Sequence, residues 1–285
     1  MVVYGGLVLY PMLSSLVGSF FRWVGIQRFG FVGFENYRRL LTAPHRSELL
    51  NAFWHNTVWF IGVLVLQTLL GLLIAWVLFL RGPRFRIFRS IFFFPALLSP
   101  VLVGTLWKLV FIPNGPAQSV LHGLGLSNTT LTWLGDSDKA LWILIAVDAW
   151  NWIGLPILVF TAGLYSIPRE IFEAASLDGA STGRLLRSVG LPMLMPALAS
   201  LTTLTVINAY NQFDIVYVME GVGGDPGRST DMLVTQFYRL AFGSVGGAGI
   251  TEIGLSLALG ALLFLFLAFI SIIVLRFFDR RQVTA

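Results

Sequence analysis

Apolar residues fall along this chain in long unbroken runs rather than in alternation. Met1–Phe21, Asn56–Leu80, Ser90–Trp107, Leu191–Phe213 and Ile253–Leu275 carry no charged residue, and Ala140–Tyr165 carries one, Asp148. A helix needs about 20 apolar residues to cross the hydrocarbon core of a bilayer. The pattern therefore predicts an all-α polytopic membrane protein, with six transmembrane helices over about residues 1–21, 56–80, 90–110, 140–164, 192–213 and 253–275. Together they would form a single domain of residues 1–285. A membrane β-barrel would show period-two alternation, which these runs lack. Met1–Phe21 has no basic segment before it and no small-residue cleavage site after it, so it reads as a span rather than a signal peptide. Its abrupt beginning is what a truncated or misplaced start would give.

Between the fourth and fifth runs lies a polar stretch with its own internal logic, YSIPREIFEAASLDGASTGRLLRSVGLPMLMP, residues 165–196. Pro168 suits the first turn of a short helix, where its missing N–H costs nothing. Glu170 and Glu173 sit near that N-terminus, where the helix dipole favours carboxylates. Ala174 and Ala175 keep one face small. Asp178-Gly179 is expected to end the helix, because glycine tolerates the left-handed cap conformation. Ser181 is then expected to cap a second helix carrying Arg184 and Arg187, and Gly190-Leu191-Pro192 to stop it. On these residues alone, an ordinary amphipathic connector is as good a reading as a docking element.

Inside the runs, two places carry chemistry. The fourth holds Asp148-Ala149-Trp150-Asn151-Trp152; a carboxylate within a span usually faces a cavity or a partner. Aromatic faces beside amides suit a sugar, yet an Asp snorkelling towards the outer interface among Trp residues fits equally. The fifth ends LTTLTVINAYNQFD, in which Thr205, Asn208 and Gln212 are predicted to share one helical face, with Asn211 beside them. Such amides either line a site or join helices. In the third run, Pro95 and Pro100 free backbone carbonyls, which places that helix within a bundle or beside a pathway. FVGFENYRRLL, residues 31–41, reads equally as a recurrent feature between spans one and two or as an interfacial amphipathic helix with aromatic anchors at Trp23 and Tyr37.

Composition agrees with lipid as the main solvent: 56% of residues are hydrophobic and 12% charged. The net charge of +5 would fit nucleic acid, but its distribution argues otherwise. Arg81, Arg84, Arg86, Arg89, Arg169, Arg184, Arg187, Arg276, Arg280 and Arg281 gather on one side of a six-span arrangement, and the positive-inside rule makes that side cytosolic, with both termini. Zero cysteines exclude thiol chemistry. His45, His55 and His122 lack metal-ligand spacing, so no metal site is expected. No nucleophile constellation suggests an enzyme. Val222–Thr230 only echoes a phosphate-binding loop, with valine at the first glycine position and Arg228 in place of the lysine.

The order Glu173-Ala174-Ala175, Asp178-Gly179-Ala180, Leu191-Pro192 and Pro196 resembles the EAA loop of binding-protein-dependent ABC importer permeases, and the resemblance extends over nearly the whole chain. It is most similar to the maltose, glycerol-3-phosphate and multiple-sugar type. The resemblance implies the type I importer permease fold, with loop 165–191 in the cytosol. There a coupling helix bearing Glu173, Ala174, Ala175, Asp178 and Gly179 would dock onto an ATPase subunit. It further implies sugar contacts at Asp148, Asn151, Trp152, Thr205, Asn208 and Gln212. Asp148 and Trp152 depart from the maltose permease, so the substrate need not be maltose. The glycine-rich external loop, with Gly223, Gly224 and Pro226, would contact an extracytoplasmic binding protein; a plain flexible loop is the alternative. Partners implied are two cytosolic ATPase subunits, which would hold ATP and Mg while this chain binds no cofactor, and a second, distinct permease forming a heterodimer. The location implied is the cytoplasmic (inner) membrane. Uptake of glycerol-3-phosphate or a glycerophosphodiester by the same machinery is the nearest alternative. A secondary transporter is a more distant one, since such proteins need paired intramembrane charges or broken-helix ion sites.

Overall fold

The computed structural model describes residues 2–82, 86–126, 132–243 and 251–282. Arg84 of the predicted basic turn lies outside the described residues. The chain divides into two compact units: Met1–Trp59, Gly104–Leu144 and Ala209–Phe269 form the first, and Phe60–Val103, Ile145–Asn208 and Ile270–Ala285 the second.

Among the described residues, two helices are long and apolar enough to cross a membrane unaided. One is α3, His45–Arg81; the other is α14, Ile253–Gln282. A shorter apolar helix, α1, covers Gly5–Gly18. Three further spans among the described residues are broken and bent, each beside a proline. Helix α4, Ile87–Leu97, meets α5, Pro100–Phe111, at 93°, and a short helix, α6, Pro116–Gly123, follows. Leu98 is extended there, and Ser99 precedes a proline, which disfavours helical geometry. Helix α7, Ala140–Trp152, meets α8, Gly154–Ser166, at 44°, where Pro156 cannot donate to the Trp152 carbonyl. Helix α10, Thr182–Met193, is bent by 73° from the helix beginning at Met195, named α11 through Tyr210.

That last break corrects an expectation. Gly190-Leu191-Pro192 does not stop the helix; a π turn at Leu186–Gly190 widens the ladder just before Pro192 and accommodates its missing donor. The chain breaks instead at Leu194, two residues before Pro196, which cannot bond the Pro192 carbonyl. A second difference lies in the stretch after α1. Residues Phe21–Val24 (β1) and Gln27–Phe31 (β2) pair as an antiparallel hairpin, with the Arg28 guanidinium 4.5 Å from the Phe21 ring. The interfacial helix read at 31–41 is shorter, Glu35–Leu40 (α2).

In the first unit, Asn36 on α2 is buried and its Nδ2 donates to the carbonyls of Ser19 and Phe21 at 2.7 and 2.9 Å, fastening the hairpin's root. In the second, Leu72, Trp76, Phe160, Leu164, Ile167, Phe172, Leu194 and Leu201 form one apolar cluster. It gathers side chains of α3, α8 and α11 beneath the polar loop.

Candidate functional site: the polar loop, the bent spans and the glycine-rich loop

Helix α9, Arg169–Leu177, is the first half of the polar loop. Pro168 is its N-cap rather than a residue of its first turn. Its end is a Schellman motif: Gly179 N donates to the Ser176 carbonyl and Ala180 N to the Ala175 carbonyl, each at 3.0 Å. Gly179 adopts φ +79°, a conformation that strains any side chain. Ser181 occupies the N-cap of α10 as expected, but its side chain makes no cap hydrogen bond.

A single side chain of α9 points inward. Phe172 is buried, its ring 5.2 Å from Phe79 and 6.2 Å from Trp76. Tyr165 packs on Phe79 at 5.2 Å and lies beneath the Arg89 guanidinium at 4.9 Å. These aromatics, with Arg169 and Glu173, border a groove of ≈ 830 Å³. The remaining face of α9 is open. Glu173, Ala174, Asp178 and Gly179 are exposed and Ala175 half-buried. So is Ile171, and Leu177 is 89% exposed. Ile171, Ala174 and Leu177 follow one another at three-residue spacing on that face. The sequence reading missed these two aliphatics and the aromatic anchor. The signal was there: Phe172 is the one bulky aromatic in EIFEAASL, and Trp76 and Phe79 are spaced i, i+3 at the end of α3.

The candidate substrate residues are placed unequally. Asn151 is fully buried. Its Nδ2 donates to the Pro95 carbonyl at 2.7 Å and its Oδ1 accepts from Trp152 Nε1 at 3.2 Å, in the amide orientation that satisfies both. One amide thus ties the indole to the Pro95 carbonyl, which also accepts from Leu98 N at 3.0 Å where the helix breaks. Trp152 and Asn208 are exposed. Asp148 is buried, and Gln67 Nε2 donates to its carbonyl at 3.4 Å. Thr205 is buried too and donates back to the Leu201 carbonyl of its own helix at 2.8 Å. Gln212 does not share a helical face with Thr205 and Asn208. Helix α11 ends at Tyr210, Phe213 leaves helical geometry (φ −145°, ψ −56°), and a new helix, α12, runs Asp214–Glu220.

After α12 the glycine-rich loop is folded rather than loose. Thr230 Oγ1 donates to the Asp225 carbonyl at 2.7 Å and Ser229 N to the Pro226 carbonyl at 3.0 Å. Arg228 holds a positive φ of 65°, unusual for a residue with a side chain. Its carbonyl accepts from Asn51 Nδ2 at 3.0 Å, and its guanidinium lies 2.5 Å from the Glu48 carboxylate, which pushes its pKa further up. Gly223 and Pro226 are half-buried; Gly224 is buried.

Comparison with known proteins agrees with this architecture. Residues 67–284 match the family described as binding-protein-dependent transport system inner membrane component. The multiple sugar-binding transport system permease protein of Streptococcus mutans is 31% identical over 275 residues, covering 96% of this chain and 90% of that one. The arabinooligosaccharides transport system permease protein of Bacillus subtilis is 30% identical over 271 residues, covering 94% and 82%. Among solved structures, a bacterial ABC transporter that imports the acidic polysaccharide alginate superposes with a TM-score of 0.75 at 19% identity, over 99% of this chain and 92% of that one. The same fold recurs, with a TM-score of 0.76, in the alginate transporter complexed with an alginate pentasaccharide-bound periplasmic protein. The chain has the type I importer permease fold, spans the membrane several times, and belongs to the family of binding-protein-dependent ABC importer permeases.

Proposed function

We propose that this chain is the transmembrane subunit of an ATP-driven importer of oligosaccharides, and that α9 is its coupling helix. The observation that carries the coupling role is the two-faced build of α9: Phe172 is locked into the aromatic cluster while Ile171, Ala174 and Leu177 stand open. An 89% exposed leucine at the tip of a loop between spans is what a partner surface would cover. ATPase closure would displace α9, and the Phe172–Phe79–Trp76 contact would pass that displacement to α3 and α8. The loop faces the cytosol in this reading, with both termini on the same side. Two ATPase subunits supply ATP and Mg, an extracytoplasmic binding protein delivers substrate, and a second, distinct permease completes a heterodimer.

Sugar as substrate is supported by the relatives' names and by the exposed Trp152, whose indole the Asn151 hydrogen bond holds in one orientation. A fixed aromatic face stacks on the apolar side of a sugar ring, and the exposed Asn208 amide can meet its hydroxyls. Asp148, Thr205 and Asn151 act behind this surface, as supports. The test is transport by the reconstituted complex of both permeases, ATPases and binding protein. Trp152→Ala is expected to lower oligosaccharide uptake about tenfold, the equivalent of about 1.4 kcal/mol, with assembly intact. Unchanged uptake would remove Trp152 from the pathway. Transport of glycerol-3-phosphate in preference to any sugar would overturn the substrate class. A complex containing this permease alone with the ATPases would overturn the heterodimer.

A further inference from the structure

Beneath the glycine-rich loop lies a polar cluster apart from α9 and from the candidate substrate residues. Asp231 is fully buried. Arg239, on helix α13 (Leu233–Phe242), meets it in a two-pronged pair: Nη1 to Oδ1 at 2.7 Å and Nη2 to Oδ2 at 2.6 Å. Nη1 also donates to the carbonyl of Val222 at 2.7 Å, on the other limb of the loop from the pair's acid. Thr235 Oγ1 donates to Asp231 Oδ1 at 2.7 Å and accepts from Met232 N at 2.8 Å, capping α13. His55 Nδ1 lies 2.9 Å from the Asp231 carbonyl; a carbonyl only accepts, so Nδ1 carries the proton. The Asn56 amide accepts from Leu233 N at 2.9 Å and donates to the Ala209 carbonyl at 2.6 Å. Gly224 presses on the backbone of Asp231 with φ +68°, so closely that a Cβ there would stand 2.6 Å from the Asp231 Cα. The loop's two limbs are therefore pinned together at one point, and its tip, Asp225, Gly227 and Arg228, is left exposed.

A buried, forked, charge-assisted pair of this kind is demanding to maintain. An exposed loop held in one shape meets a partner without an ordering cost. We propose that Asp231 and Arg239 are positioning residues for docking of the binding protein: they preform the loop so that its tip, 225–228, is presented as a rigid contact surface. This rests on the reading that the loop faces the extracytoplasmic binding protein. It also reassigns the contact within that loop. Gly224 serves packing against Asp231, and the exposed tip residues touch the partner.

The experiment measures ATP hydrolysis by the reconstituted complex as the binding protein, loaded with oligosaccharide, is titrated. Arg239→Met and Asp231→Asn are expected to raise the half-saturating concentration of binding protein about tenfold or more, leaving the maximal rate and the basal rate unchanged. Arg239→Lys keeps the charge but not the fork, so it should fall between the wild type and Arg239→Met. If Arg239→Met fails to assemble, the lysine variant alone is decisive: an intermediate rise supports the clamp, and wild-type half-saturation overturns it. Hydrogen exchange at the amides of Gly224, Thr230 and Asp231 should rise in the same variants. Asp225→Lys separates the two readings. If it raises half-saturation while the clamp variants do not, the positioning role is wrong and docking stands. If it has no effect, the loop is not the docking surface and the inference fails with that reading. A drop in maximal rate at unchanged half-saturation would make the pair a structural support only.

Discussion

Replacing Phe172 with alanine should uncouple the protein while leaving its spans intact. The ring is 9% exposed and contacts both Phe79 and Trp76. Truncating a buried phenylalanine costs about 3–5 kcal/mol. The open groove beside it lets water reach the gap, so the lower end, about 3 kcal/mol, is the reasonable figure here. Helix α9 has nine residues, fewer than the ~12–15 at which an isolated helix becomes even marginal. Its order thus depends on this anchor. A loss of about 3 kcal/mol lowers the docked population of α9 roughly a hundredfold. The assay is retention of ATPase subunits on the purified permease, followed by ATP hydrolysis with and without loaded binding protein. Phe172→Ala should lose stimulation, and Phe172→Leu, which keeps much of the buried apolar area, should retain most of it. Wild-type stimulation in an assembled Phe172→Ala complex would show that α9 is positioned by something other than the aromatic cluster, and the proposed route of displacement would be wrong.

Substitutions at two further positions probe the local chemistry. Gly179→Ala meets open space, so its cost is backbone strain alone, about 1–2 kcal/mol. Coupling efficiency should fall and Gly179→Asn should be milder, as read by stimulated ATP hydrolysis; equal activity of all three would show that the Schellman turn is dispensable. Asn151→Leu leaves the Trp152 Nε1–H without its acceptor, and should lower thermal stability by about 1–3 kcal/mol in a detergent melt. A variant as stable as the wild type would mean the amide is replaced by another partner.

What the sequence revealed and what it concealed divide along the range of the interactions. The helix–turn of the polar loop was legible because Pro168 and Gly179 act on their own backbone. The spans were legible because lipid demands length and apolarity. Broken geometry was harder. Pro192 looked like the stop, yet a π turn absorbed it and Pro196 set the break at Leu194. Gln212 followed the helical period in sequence, but Phe213 had already left the helix. Asn151 looked like a ligand contact; its partner is a proline carbonyl 56 positions earlier, which periodicity does not reach. Most hidden was the cluster at Asp231, where His55 arrives from 176 residues away. Local propensity carries no trace of such a pairing.

The central claim, that α9 presents its open face to an ATPase, has a direct test. The chain contains no cysteine, so Leu177→Cys places a single thiol on the most exposed side chain of that face. The account predicts that, in membranes containing the assembled complex, this thiol cross-links to the ATPase subunit and is protected from an impermeant reagent added to intact cells. Labelling of residue 177 from outside the cell, with no cross-link to the ATPase, would contradict it.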